Sequence, residues 1–232
     1  MKKIFIFCIT SLLLWSSDVK ENIIKTFKIE EIDVQVIEVK ELNSGLSIAI
    51  IQQNNGVRIP IFTTNDGKNV MGIAEPLIFS SDHYQDIMRD VYKEVMDYNK
   101  QRSDKAILEN LNQNAWINFK GNAKSGSVYL ILDANCKYCK QEFSKIDQLL
   151  KDYKEIKVVF CGLLGLNSLQ KAAQVYQDIK SITQQKDKIA YLKKIFSDEV
   201  KISDKLNTDF IQKINQVAID AGITGVPYII IK

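Results

Sequence analysis

The chain has 232 residues, of which 46% are hydrophobic and 25% are charged, as in ordinary globular proteins. Its ten Gly and three Pro exclude collagen-like and low-complexity chains. The formal net charge is +3, and the basic residues are dispersed rather than grouped in a block, so the sequence does not favour a nucleic-acid partner. This length has room for one large domain or two small ones.

The N-terminus has the pattern of a secretory signal peptide. A positive start at residues 1–3 precedes a mostly apolar run over 4–15 and a polar stretch over 16–18. The run is shorter than the about 20 apolar residues that a membrane span needs. A buried first helix and an uncleaved anchor remain as alternatives. We predict that residues 1–17 are a signal peptide, cleaved near residue 17, and that Cys8 is removed with it.

Residues 18–78 are predicted to form a small α+β domain. A short amphipathic helix is expected over 18–27, and alternating apolar residues and turn signals then predict four antiparallel strands over about 32–36, 46–52, 57–61 and 70–74. So small a core is marginally stable alone, and an exposed sheet edge favours pairing with a second copy. We therefore predict a homodimer that forms through residues 18–78.

Residues 79–120 are predicted to be a helical linker. A helical period runs from His83 to about Gln113, either as one continuous helix or with a break near Ser103. The second half has so little apolar surface that we expect a spacer rather than a core element. His83 is expected to face solvent. Trp116 and Phe119 are expected to pack the linker onto the domain that follows.

Residues 121–232 are predicted to form an α/β domain. Apolar strands are expected at Val128–Leu132, 156–160 and Tyr228–Ile231, with a helix after Cys136 and helical structure throughout 167–221. The order strand, helix, strand, helices, strand indicates an α/β domain with a helical insertion.

The Cys136-Lys-Tyr-Cys139 segment carries the candidate chemistry. A zinc site needs four ligands, for which Cys161 and His83 are the additional candidates. A purely structural disulfide gains little from closing so short a loop. A redox pair is favoured by position, because the first turn of a helix presents free N–H groups that stabilise a thiolate.

In the redox interpretation Cys136 is the nucleophile, Cys139 resolves the mixed disulfide, and the two form a redox-active disulfide. Lys137 and Lys140 add positive charge nearby. No metal or organic cofactor is implied, because the sulfur pair carries the electrons itself. Asp133 is a candidate influence on thiol protonation. Cys161 is predicted to be an inert, buried thiol.

The Cys136–Cys139 segment after Leu-Asp-Ala-Asn, with Gly-Val-Pro227 far downstream, resembles the thioredoxin superfamily. The whole layout is similar to that of the DsbC/DsbG family of periplasmic disulfide isomerases, and residues 62–70 resemble its dimerisation domain. The resemblance implies a homodimer whose C-terminal domains are thioredoxin-like. It also implies a further strand and a helix after residue 232.

The same resemblance implies that Pro227 is cis, that Val226 lies beside Cys136, and that the Val226 backbone pairs with extended substrate. Tyr138 is shared with the family and is assigned to substrate binding with Val226 and Pro227. The implied partners are exported proteins with non-native disulfides and an inner-membrane thiol reductant. We predict a periplasmic disulfide isomerase or reductase. A net thiol oxidase of the same fold and a chaperone that shields unfolded clients are the alternatives.

Overall fold

The structure is a computed structural model that describes residues 10–42, 45–73, 82–203 and 205–232, with side chains from residue 18 onward except that of Asp82. The start of the predicted signal peptide, residues 1–9, lies outside the described residues, as does Ala74, the predicted end of the fourth strand. The chain divides into two compact units, residues 1–101 and 102–232, each described by itself below.

The N-terminal unit contains a four-stranded antiparallel sheet in the order β1-β2-β3-β4. Its elements are α1 (Thr10–Ile29), β1 (Val34–Glu41), β2 (Leu46–Gln53), β3 (Arg58–Thr64), β4 (Val70–Gly72) and the first part of α2 (Asp82–Asn110). The predicted α+β organisation is therefore confirmed. Helix α1 begins earlier than predicted and includes residues assigned to the signal peptide, whose cleavage stays a prediction.

Residues 48–51 of strand β2 are all apolar because helices cover both faces of the sheet. Side chains alternate between the faces of a strand, so Ala49 and Ile51 pack with Ile23 of α1. On the other face Ile48 and Ile50 pack with three buried residues of α2, namely Met88, Val91 and Val95. The prediction that the long helix is a spacer is therefore wrong for its first half, which is a core element of this unit.

The second half of α2 belongs to the core of the C-terminal unit, since Ile107 and Leu111 are buried there. The helix continues through Ser103, so the continuous alternative is correct and the break near Ser103 is not present. The Ser103 hydroxyl is buried and donates a hydrogen bond to the Ala221 carbonyl oxygen at 2.6 Å. A polar residue that suggested a break thus makes a tertiary contact.

The C-terminal unit contains a mixed sheet in the order β5-β7-β6-β8, with β6 and β7 parallel and the outer strands antiparallel to their neighbours. Its elements are β5 (Ile117–Lys120), β6 (Ser127–Asp133), α3 (Lys137–Ser144), α4 (Ile146–Asp152), β7 (Glu155–Cys161), α5 (Leu166–Asp178), α6 (Gln185–Phe196), α7 (Asp209–Asp220) and β8 (Tyr228–Ile231).

Three expectations for this unit need correction. Residues 117–120, placed in the helical linker, form the edge strand β5, in which the apolar residues alternate with exposed ones. Residues 167–221 are not helical throughout, because non-helical segments separate α5 from α6 and α6 from α7. The helix after Cys136 is divided at Lys145 into α3 and α4.

The edge strand β5 is capped by one side chain. The Gln185 amide oxygen accepts the backbone N–H of Lys120 at 2.7 Å, and its amide nitrogen donates to the Lys120 carbonyl oxygen at 3.0 Å. Trp116 precedes this strand and Phe119 lies in it, and both are in the core of the unit, as expected from their predicted packing onto the domain that follows the linker.

The two central strands, β6 and β7, form the middle of the core. Leu130, Leu132, Val158 and Phe160 have no exposed surface, and burying such a side chain contributes about 1.5–3 kcal/mol. Strands β6 and β7 are parallel and in register at Asp133 and Cys161, so their carboxyl ends meet at one edge of the sheet. The Cys136–Cys139 segment begins at this edge.

Candidate active site

Cys136 occupies the N-cap position of α3. Strand β6 ends at Asp133, and the Cys136 N–H closes the following turn by donating to the Asp133 carbonyl oxygen at 3.1 Å. Cys136 has extended backbone angles, and its Sγ accepts the N–H of Cys139 at 3.4 Å. The sulfur therefore occupies the place where a helix has unsatisfied N–H groups and its positive dipole end, an environment that stabilises negative charge.

Cys139 lies one turn further along α3 and has no exposed surface, whereas Cys136 is 8% exposed. The Cys139 Sγ accepts the backbone N–H of Asp133 at 3.4 Å. Burial raises the pKa of the Cys139 thiol well above its ordinary value, because a thiolate is poorly solvated there. Both cysteines are free thiols in this structure, and of the two, only Cys136 presents surface to a substrate.

The loop before β8 contributes the third part of the site. The Val226–Pro227 peptide bond is cis, and the Cys136 thiol donates to the Val226 carbonyl oxygen at 3.3 Å. Both the cis bond and the contact agree with what the family resemblance implied. Tyr138 lies in the first turn of α3 and is 67% exposed.

Asp133 is fully buried, and its carboxyl oxygens hold the turn that carries Cys136. One oxygen accepts the N–H of Asn135 at 2.9 Å and the Ser168 hydroxyl at 2.8 Å. The other accepts the N–H of Leu164 at 3.1 Å. These bonds connect the end of β6 to the loop before α5 and to α5 itself.

Asn135 and Lys171 extend this polar cluster. The Lys171 ammonium donates to the Asn135 amide oxygen at 2.6 Å and also to the Asp198 carboxylate. The Asn135 amide nitrogen donates to the side-chain oxygens of Asn167 and Ser168 at 2.8 and 2.9 Å. Sequence analysis missed this cluster, because its members are separated by about thirty residues. The signal within α5 is the pair Ser168 and Lys171, which three-residue spacing places on one helix face.

Two exposed leucines were also not predicted: Leu164 lies in the loop anchored to this cluster, and Leu166 is the first residue of α5. Leu164 is 56% exposed and Leu166 is 69% exposed. The loop backbone is fixed, because Asn215 both donates to the Gly162 carbonyl oxygen and accepts its N–H, and Asp133 accepts the N–H of Leu164. The exposed side chain of Leu164 is thus attached to a loop that is held against the turn carrying Cys136.

The remaining residues singled out in the sequence have structural roles. Cys161 is fully buried at the end of β7, its thiol donates to the Leu132 carbonyl oxygen at 3.3 Å, and burial raises its pKa to about 12. These properties agree with the prediction of a buried core thiol. His83 is exposed on α2, also as predicted. Among the described residues, no three His, Cys, Asp or Glu side chains are grouped so that they could hold a metal ion.

Comparison with known proteins assigns the first part of the chain. Residues 11–107 match the family model described as "Disulfide isomerase DsbG N-terminal". The predicted resemblance to the DsbC/DsbG family is therefore confirmed.

A solved structure of Helicobacter pylori DsbG extends the DsbG-like match to most of the chain. It is 22% identical, covers 91% of this chain and 100% of that chain, and has a TM-score of 0.50. This match confirms the predicted fold class, in which a thioredoxin-like domain follows the DsbG-type N-terminal unit.

Two further structures align with smaller parts of the chain. A linker-deletion mutant of Proteus mirabilis ScsC is 15% identical, covers 68% of this chain and 88% of that chain, and has a TM-score of 0.42. The thiol-disulfide exchange protein alpha-DsbA2 from Wolbachia pipientis is 21% identical, covers 59% of this chain and 86% of that chain, and has a TM-score of 0.42. No curated protein matches the chain.

None of the described helices has the length and apolar character that crossing a membrane requires.

Proposed function

We propose that this DsbG-type chain is a periplasmic thiol:disulfide interchange enzyme, and specifically a disulfide isomerase or reductase that acts on misoxidised exported proteins. The observation that carries the proposal is the placement of the Cys136 sulfur. It is the accessible thiol of the pair, it lies at the N-terminus of α3, and it is 3.3 Å from the Val226 carbonyl oxygen that precedes cis Pro227. The description of the matched family as a disulfide isomerase supports the same activity.

The proposed reaction begins when the Cys136 thiolate attacks one sulfur of a substrate disulfide. A mixed disulfide forms, and the other substrate sulfur leaves as a thiolate. A substrate thiolate can then attack the mixed disulfide, which forms a new substrate disulfide, returns the Cys136 thiolate and completes an isomerisation without net electron transfer. Alternatively Cys139 loses its proton and attacks Cys136, which oxidises the pair and leaves the substrate reduced by two electrons.

The raised pKa of Cys139 favours isomerisation over immediate reduction. A thiol must ionise before it attacks a disulfide, so burial of Cys139 slows the resolving step and lengthens the life of the mixed disulfide. The substrate then has time to supply its own thiolate. When Cys139 does react, the oxidised pair needs a thiol reductant, which we propose is an inner-membrane protein.

The proposed substrate site combines backbone and apolar contacts. Val226 and Pro227 are proposed to hold an extended substrate segment by its backbone, which does not select for side chains. Tyr138 is exposed on α3, Leu164 is exposed in the loop that Asp133 holds, and Leu166 is exposed at the start of α5. We propose that all three contact the apolar residues that misfolded clients expose. Together these contacts suit a broad set of clients rather than one.

Mixed-disulfide trapping tests the proposed chemistry. In Cys139→Ser the resolving thiol is absent, so covalent complexes with oxidised exported proteins should accumulate and disappear on reduction. Cys136→Ser is the matched control and should form none, although it retains the other cysteine of the pair. Equal trapping by both variants, or trapping by neither, would contradict the assignment of Cys136 as nucleophile.

The resting thiol state distinguishes an isomerase from an oxidase. If the protein is kept reduced for isomerisation, acid-quenching the cells and then adding a mass-tagged alkylating reagent under denaturing conditions should modify both Cys136 and Cys139. A pair that resists modification until a reductant is added would identify a net oxidase instead. Client protection that survives in Cys136→Ala, together with a normal cellular phenotype, would favour the chaperone alternative.

We also propose that the protein is a homodimer formed through residues 18–78. In the described part of the N-terminal unit, β1 pairs on one side only, with β2, and an unpaired strand edge is a template for a second chain. Analytical ultracentrifugation should give twice the chain mass at micromolar concentration. A single-chain mass over the whole accessible concentration range would contradict the dimer.

A further inference from the structure

Lys171 is a buried charge in the polar cluster beside Cys136. Its side chain is 8% exposed, whereas the side chain of its ion-pair partner Asp198 is 74% exposed. Removing an ammonium group from water is costly unless the group is paired and hydrogen-bonded. An ion pair with a largely exposed carboxylate does not by itself require the lysine to be so deeply buried.

The second contact of the ammonium explains where the charge is placed. Lys171 donates to the Asn135 side chain at 2.6 Å, and Asn135 immediately precedes Cys136 in the turn between β6 and α3. The positive charge therefore lies one hydrogen bond and one peptide unit from the residue that carries the nucleophilic sulfur. The Asn135 amide is fixed in this orientation, since its nitrogen donates to Ser168 and Asn167.

A need for packing alone would not select a lysine at this position. A methionine has a similar length, fills irregular space and carries no desolvation cost, and replacing buried ion pairs by apolar residues is often neutral or stabilising. The charge therefore requires an explanation other than packing. Its sign is opposite to that of the buried Asp133 carboxyl group, which accepts the N–H of Asn135 in the same turn.

We propose that Lys171 is a positioning residue for Cys136, which fixes the turn through Asn135 and offsets the negative charge of Asp133 when the thiolate forms. The inference rests on the proposed thiol:disulfide activity and assigns part of its control to α5. Other charged groups near the sulfur are Lys137 and Lys140, both exposed on α3. Asp198 partly neutralises Lys171 from the segment after α6.

The test compares Lys171→Met with Asp198→Asn in the full chain, because the two variants change the charge near Cys136 in opposite directions. Two quantities are measured at pH 7: the equilibrium constant of the Cys136/Cys139 pair with glutathione, and the iodoacetamide alkylation rate of Cys136. If Cys136 is already a thiolate at pH 7, a change in thiolate stability alters the equilibrium constant with glutathione. If Cys136 is mostly protonated at pH 7, the same change alters the fraction of thiolate and therefore the alkylation rate.

Lys171→Met removes a positive charge and should therefore destabilise the Cys136 thiolate. We expect the equilibrium constant to shift toward a less oxidising pair, or the alkylation rate to fall, by about three- to tenfold, as for a Coulomb interaction at intermediate distance in a partly screened site. For Asp198→Asn we expect the opposite direction, by about two- to threefold, since the asparagine oxygen can still accept from the ammonium. Lys171→Arg retains the charge and should lie closer to wild type than Lys171→Met does.

A purely structural role for Lys171 predicts a different pattern. Both variants would then lower the unfolding midpoint without changing either the equilibrium constant or the alkylation rate of the folded protein, and this result would overturn the proposal. If Lys171→Met does not fold, Asp198→Asn decides, because its side chain is mostly exposed: a shift in the expected direction supports the proposal, and no shift or the opposite shift refutes it. Failure of the proposed function gives a separate signature, in which wild-type Cys136 forms no mixed disulfide at all.

Discussion

Replacing Asp133 by asparagine tests whether the buried carboxyl group holds the active-site turn. The side chain is fully buried and accepts hydrogen bonds from Asn135, Leu164 and Ser168. In Asp133→Asn the remaining side-chain oxygen can still accept the hydrogen bonds from the Asn135 N–H and the Ser168 hydroxyl. The amide nitrogen that replaces the other oxygen then faces the Leu164 N–H, so a donor meets a donor.

The expected loss of stability follows from these contacts. A hydrogen bond to a charged group contributes about 1.5–3 kcal/mol, and a buried donor left without a partner costs about 1–3 kcal/mol. Relief from burying a charge offsets part of this sum, so we expect the C-terminal unit to lose about 2–4 kcal/mol. The same change removes negative charge beside Cys136, and the alkylation rate of that thiol should therefore rise.

Urea denaturation followed by far-ultraviolet circular dichroism measures the loss. A typical urea slope of about 1–3 kcal/mol per molar converts the expected loss into a midpoint lower by about 1–2 M. The control is Asp152→Asn, because Asp152 is exposed on α4 and its replacement should change stability by less than about 0.5 kcal/mol. If Asp133→Asn were as stable as this control, the carboxyl group would not hold the turn.

Three further outcomes are expected from the thiols and glycines of the C-terminal unit. In the reduced native protein at pH 7, a small alkylating reagent should modify Cys136 and leave the fully buried Cys139 and Cys161 unmodified; peptide mass spectrometry that found equal labelling would contradict the described burial. Burial raises the pKa of both Cys139 and Cys161, the latter to about 12, so their contribution to stability is complete below the pKa of an unfolded thiol, about 8.5, and is lost as the pH rises toward the folded values, by up to about 1.4 kcal/mol per pH unit for each thiol. Urea titrations from pH 8 to 10 measure this slope, which Cys161→Ala should reduce and which an unchanged slope in that variant would contradict. Gly162→Ala places a Cβ 2.6 Å from the backbone of α5, whereas Gly225→Ala meets nothing within 4 Å; calorimetry should show a loss of about 1–3 kcal/mol for the first and almost none for the second, and equal losses would refute the close approach.

The sequence predicts elements well where one physical signal dominates. The continuous apolar run of β6 and the run of β7 are the central strands because both are covered on both faces. Strand β5 was missed although Ile117 and Phe119 alternate with polar residues, because four residues give too little pattern next to a long helical segment. The sequence left open whether the long helix breaks near Ser103, and it does not break there, because the Ser103 hydroxyl donates a hydrogen bond to the Ala221 carbonyl oxygen.

The candidate site separates into predictable and unpredictable parts in the same way. Local spacing indicates that Cys136 lies at a helix N-terminus and that Cys139 lies one turn further along. The contact between Cys136 and Val226 spans ninety positions and was expected only from the family resemblance. The cluster of Asn135, Ser168 and Lys171 had no such guide, because hydrogen bonds between distant polar residues leave no periodic pattern in one sequence.

The single glutamine that caps β5 has a consequence for how the protein behaves in a crowded compartment. An additional strand would pair with the edge of β5 by offering one hydrogen-bond acceptor and one donor to the backbone of Lys120. The side-chain amide of Gln185 already provides both. The Gln185 side chain therefore takes the place of one residue of an additional strand. Unlike a strand, it has no second backbone edge with which another chain could pair. In the proposed function, where the protein meets partly unfolded polypeptides, this cap prevents such chains from pairing with β5 and leaves Cys136 as the point of contact.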